Sequence, residues 1–123
     1  MKFVCLVYGE EPLMRTVPDA ECMANGLALK SNGHYIAAEA LQPVKDAVTV
    51  RVRHGAMTVT DGPFAETKEQ LAGFYLIDAR DLDEAVELAS RIPPARIGSI
   101  EVRPVRELNG EPEVRSAKFE VRS

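Results

Sequence analysis

A small set of side chains in this sequence has the types and spacing from which chemistry can be built. Asp61 opens the run DGPFAETKE at residues 61–69, and a carboxylate there acts as a general acid or base wherever a cleft desolvates it and raises its pKa toward neutrality. His34 opens an alternating segment and can shuttle protons if a carboxylate meets it. Arg51 and Arg53 stand two apart in another alternating segment, so they share one face of a strand and suit an anionic ligand, a carboxylate above all. Glu66, Lys68 and Glu69 form a charge cluster able to gate or line a pocket, and Phe64 and Tyr75 offer aromatic walls. Together these residues point to proton transfer on a small, anionic organic molecule, with Asp61 and His34 as acid and base.

Each of them also has an ordinary structural reading. Asp-Gly-Pro is turn chemistry first: Pro63 fixes its own φ, and the Asp61 side chain accepts backbone N–H groups just downstream. We take that as the expected role, so Asp61→Ala should cost roughly 0.5–2 kcal/mol, as a lost cap does. His34 serves equally as a half-exposed structural histidine, and His54 beside Gly55 is a turn residue. The arginines can face a carboxylate on a neighbouring strand for at most about 1 kcal/mol. Charged loops are usually solvated, and aromatic residues on central strands are usually core. The two histidines and two cysteines fall at no metal-ligand spacing. Phosphate-loop, nucleotide and nucleophile-elbow motifs are missing as well, so no cofactor and no metal are expected.

The elements that must position these side chains follow from periodicity. Residues 2–8 and 71–78 are apolar on both faces, which for short runs means strands buried on both sides. Residues 9–18 read as a loop. A helix is predicted over 19–32 with Ala20, Met23, Ala24 and Leu27 as its apolar stripe, weakened by Gly26 and stopped at Asn32-Gly33. Residues 34–41 form a second strand. Residues 49–53 and 57–60 alternate around His54-Gly55 as a hairpin that delivers the 61–69 loop. Asp81 and Glu84 have capping-box spacing before a helix burying Leu82, Ala85, Val86, Ala89 and Ile92, which Pro93-Pro94 ends. Residues 99–105 form a one-sided strand, and 107–123 are polar, with an Asn109-Gly110 turn and a short strand near 119–121.

The 123 residues, 46% hydrophobic and 28% charged, suit one globular domain over residues 1–108 with a C-terminal tail, 109–123, that a partner copy can order. A formal charge of -4 gives no positive field for nucleic acid or anionic membranes, so neither is an expected partner. Cys5 and Cys22 lie outside any Cys-x-x-Cys spacing, and no signal peptide or membrane-length apolar run is visible, which points to reduced thiols and a cytoplasmic location. Strand, helix, strand, hairpin, strand, helix, strand is the α+β, ferredoxin-like βαββαβ order with an inserted β-hairpin. Two helices cover one face of such a sheet, and a second copy packed about a two-fold axis covers the other, giving a homodimer through the helix-free face. Any pocket is expected between sheet and helices, bordered by residues 61–68.

The run DGPFAETKE, with Gly33 to Ala37, Gly73 to Ile77 and Glu101 to Pro104, resembles the DGPF, or YCII-related, family over residues 1–108. The resemblance implies a ferredoxin-like chain that dimerises as an α/β barrel. Within the wider superfamily it also implies kinship to cofactor-free enzymes, including a dehydrochlorinase and muconolactone-isomerase-like proteins, whose proposed catalytic unit is a His–Asp pair with the His on the first helix. Residues 19–32 contain no His, so that dyad does not transfer. Related domains also occur alongside sigma-factor-like transcription proteins. Two functions therefore stand open: a cofactor-free enzyme of isomerase or lyase type, and a non-catalytic ligand-binding or regulatory module tied to transcription-related partners. A closed cavity on which Asp61 and His34 converge favours the first, an open apolar groove the second.

Overall fold

The computed structural model describes residues 1–108; the expected Asn109-Gly110 turn and the strand near 119–121 lie outside the described residues. Strand β1 (Lys2–Gly9) leads through a one-turn helix α1 (Glu11–Met14) to helix α2 (Asp19–Ser31) and strand β2 (Tyr35–Ala40). A 3-10 turn (Val44–Asp46) precedes strands β3 (Val48–Arg53) and β4 (Ala56–Asp61). Strand β5 (Gln70–Asp78), helix α3 (Leu82–Ala89), a second 3-10 turn (Pro93–Arg96) and strand β6 (Ser99–Pro104) complete the described chain. Residues 9–18 thus contain a helical turn where a plain loop was expected. Pro12 occupies an N-terminal helix position, where its missing N–H costs nothing.

The main sheet is antiparallel with the order β2-β5-β1-β6, which puts the two strands apolar on both faces in the middle. Phe3, Cys5, Val7, Tyr75 and Ile77 are buried with Leu29 of α2 and Ala85, Leu88 and Ala89 of α3 in one core. Val4, Leu6, Tyr8, Phe74 and Leu76 project from the opposite face and are half-buried. Strands β3 and β4 pair with each other as a separate two-stranded sheet. This mixed α+β arrangement is compatible with a ferredoxin-like fold. Among the described residues no helix is long and apolar enough to cross a membrane.

Helix α2 buries a different stripe from the expected one, and α3 buries Ala85 and Ala89, with Ile92 just beyond its end, as expected but not all of its predicted stripe. In α2 the fully buried residue is Leu29, while Met23 and Leu27 are 70% and 62% exposed. In α3 Leu88 replaces Leu82 and Val86, which are about half exposed. The α3 cap forms as its spacing predicts: Asp81 Oδ1 accepts from Glu84 N at 2.9 Å, and that bond holds the Asp81 carboxyl below its ordinary value. Glu84 reaches back one residue further than in a capping box, to Arg80 N at 2.7 Å.

Candidate functional site

The exposure of Met23 and Leu27 has a local cause. Asp19, Cys22, Met23, Gly26, Leu27 and Lys30 recur at helical three- and four-residue spacing, and this face of α2 overlooks a partly open cavity of about 790 Å³. Its floor is the helix-side face of the sheet, with Val7, Ala38, Gly73 and Tyr75. Met14, Val17, Leu41, Pro43 and Leu71 add apolar wall. Glu11, also in the lining, accepts from Val44 N at 2.8 Å, a charge-assisted tie between α1 and the 3-10 turn. Arg96 donates to Glu21 at 2.8 Å and pins α2 to the Pro93–Arg96 turn.

The lining is mostly apolar, with a few polar groups converging on it. The Tyr75 hydroxyl donates to Cys22 O over a long 3.4 Å, a weak bond that leaves it available to a stronger acceptor. Burial pushes the Tyr75 phenol above its ordinary value of 10.0 while the Asn25 amide pulls it down. That amide thus lies beside Tyr75, yet its enclosed Nδ2 has no hydrogen-bond partner among the described residues; we read the pair as close but misaligned. Lys30 Nζ sits 4.7 Å from the centre of the Tyr35 ring, a cation–π contact at the mouth. The Cys22 thiol is raised by burial first and then by Asp19 and Glu21, and burial raises Cys5 to about 11, so neither is a thiolate at neutral pH. No cluster of three or more His, Cys, Asp and Glu able to hold a metal occurs among the described residues.

Of the residues singled out from sequence, Tyr75 lines this cavity and the others are placed elsewhere. His34 Nδ1 lies 2.8 Å from Asp78 O, and the His34 carbonyl accepts from Asp78 N, at the far end of β5. Asp61 ends β4 at the base of the hairpin, where Gly62 N donates to Ala47 O at 2.8 Å. Residues 61–69 feed into β5 at its first residue, with the Gln70 amide bonded to Ala65 O and Thr67 O. The nine residues of β5, roughly 27 Å of strand, separate that point from the His34 contact, so the two are not brought together. Asp61 is exposed, and its carboxylate makes no hydrogen bond or ion pair among the described residues. Thr49 ties the turn instead, donating from Oγ1 to Gly62 O at 2.9 Å; Gly62 itself adopts φ 101°, a left-handed conformation natural to glycine. Arg51 lies 5.6 Å from the centre of the Phe64 ring, which is 78% exposed. Arg53 donates to Val52 O. Lys68 pairs loosely with Glu10 at 3.8 Å, Glu69 accepts from Ser99, and Glu66 is exposed. The 61–68 loop, expected to border the pocket, reaches Glu10 through Lys68 and does not line the cavity.

The model of the YCII-related domain family matches residues 1–109. The chain belongs to the YCII-related family. A protein of Rhizobium meliloti (strain 1021), described as uncharacterized, is 54% identical over 67 residues, covering 53% of this chain. The matched stretch spans about half, 54%, of that relative's length.

In this YCII-related chain the cavity residues that sequence reasoning missed include Glu11, Met14, Arg15, Met23, Leu27 and Lys30. The α2 members do carry a signal, since Met23 and Leu27 belong to the predicted apolar stripe of residues 19–32. An apolar stripe facing a cavity has the same periodicity as one facing a packed core, so spacing alone cannot separate them.

Proposed function

We propose that this chain is a small-molecule-binding module whose site is the cavity between α2 and the sheet. The observation that carries the reading is the cavity itself: about 790 Å³, within the range that admits a drug-sized molecule, with apolar walls and a few convergent polar groups. Its ligand is a small, largely apolar ring or branched-chain molecule bearing one carbonyl or carboxyl oxygen. The Tyr75 hydroxyl donates to that oxygen in place of its long bond to Cys22 O, and Met14 and Met23 adapt to the apolar body. A protonated Tyr75 is a donor and not a base, which suits recognition. The separate placements of Asp61 and His34 support binding over acid–base catalysis by that pair.

The molecule that binds is a homodimer, the helix-free sheet faces packed about a two-fold axis as an α/β barrel of ferredoxin-like subunits with inserted hairpins. Support comes from Val4, Leu6, Tyr8, Phe74 and Leu76, which are only partly covered on the helix-free face and form an apolar surface suited to burial against a partner.

A thermal-shift screen of small cyclic ketones and monocarboxylates tests the site. Compounds that stabilise the parent, by about 2.7 kcal/mol at a hundred times their Kd, should lose most of that effect on Leu27→Trp, in which the indole obstructs the part of the cavity that Leu27 lines. Equal stabilisation of parent and variant would place the ligand elsewhere.

A further inference from the structure

The β3–β4 hairpin is an amphipathic arm. Val48, Val50 and Val52 pair across the ladder with Asp61, Val59 and Met57, so the five apolar side chains share one face. They are 56–67% exposed. The opposite face carries Thr49, Arg51 and Arg53 and is served by the arm's own loop, through the Phe64 ring at Arg51 and the Thr49 bond to Gly62 O. At its base the arm is held by the Gly62 to Ala47 bond, and neither strand packs extensively against another element of the described chain. A two-stranded hairpin standing alone in water is at best marginally stable. This one therefore needs a cover on its apolar face.

We infer that the cover is a second copy of this chain, and that each arm docks on its partner as part of the interface that also buries the helix-free sheet face. The inference rests on the homodimer proposed above. Area supports that occupant: the five side chains expose on the order of 400–500 Å² per arm, so two arms and the partner surface they cover come to about 1,600–2,000 Å², the size of a specific dimer interface.

Sedimentation velocity on the full chain tests this with Val50→Lys/Val59→Lys on the apolar face, Thr58→Lys on the opposite face, and Leu6→Lys on the helix-free sheet face. A Val50→Thr/Val59→Thr variant keeps the β-branched shape, should folding suffer with lysine, and circular dichroism checks each. The expected result is a dimeric parent whose dissociation constant rises at least 100-fold with either apolar-face double variant and with Leu6→Lys, and stays within threefold with Thr58→Lys. A dimer untouched by both arm variants but broken by Leu6→Lys would overturn the arm docking and leave the sheet-face dimer standing. A dimer untouched by Leu6→Lys would remove the sheet-face reading, and a parent monomeric at 100 μM would overturn both.

Discussion

Asp61 is the residue whose sequence signal is strongest and whose structural role differs most from expectation. Its carboxylate neither caps the turn nor faces the cavity, and the turn is secured by Thr49 and by Gly62 at positive φ. Asp61→Ala should therefore leave stability within about 0.5 kcal/mol of the parent, as an exposed, unpaired side chain does. Thr49→Val should cost about 1 kcal/mol by removing the bond to Gly62 O, and urea unfolding of the two variants separates these outcomes. Asp-Gly-Pro fixes that a turn exists; which group satisfies the turn depends on a neighbouring strand, which local sequence does not reveal. The sequence leaves Tyr75 between cavity wall and core, since an aromatic side chain on a central strand suits either. Tyr75→Phe should weaken binding of a carbonyl-bearing ligand about 5- to 10-fold, the worth of one neutral hydrogen bond, with the fold intact. Because burial raises the phenol, ligand affinity should stay flat with respect to Tyr75 from pH 6 to 9, as measured by calorimetry; a fall centred below pH 9 would mean that the hydroxyl ionises there.

At the scale of elements, β5 and α2 set the cavity through their glycines in opposite ways. A Cβ on Gly73 would lie 2.7 Å from the Glu39 carbonyl oxygen of β2, a backbone atom that cannot swing aside. Gly73→Ala should thus destabilise by about 1–3 kcal/mol. A Cβ on Gly26 meets nothing within 4 Å, so Gly26→Ala should stabilise by roughly 0.5–1 kcal/mol through helix propensity; thermal denaturation of both variants gives the signs. The α3 cap adds a pH dependence. Asp81 has its folded-state pKa depressed by the Glu84 N–H, so its contribution is present above its ordinary 3.8 and is lost as pH falls through the lower folded value. Asp81→Asn should flatten that part of the acid limb. Strands were the most legible elements, since β1 and β5 are apolar at nearly every position and only central strands require that. The phase of α2 was not, because Met23 and Leu27 face a void, and the α1 turn was hidden in a segment whose helix is a single turn long.

At the scale of the whole molecule, the described residues leave three apolar surfaces uncovered: the cavity, the helix-free sheet face and the arm. Element order made the sheet and its bare face legible, whereas the cavity depends on how far α2 stands off the sheet, a tertiary distance with no local signature. The methionines sample two of these surfaces, with Met14 and Met23 on the cavity and Met57 on the arm, and Met1 at the start of the chain is a reference away from both. The most direct measurement is therefore an NMR titration of [13C-methyl]-methionine-labelled full chain with the cyclic ketones and monocarboxylates that stabilise it. Binding in the cavity predicts saturable shifts of the Met14 and Met23 methyls, with Met1 and Met57 unmoved and with the shifts largely lost in Leu27→Trp. Stabilising compounds that move Met57 or Met1 while Met14 and Met23 stay fixed would contradict it.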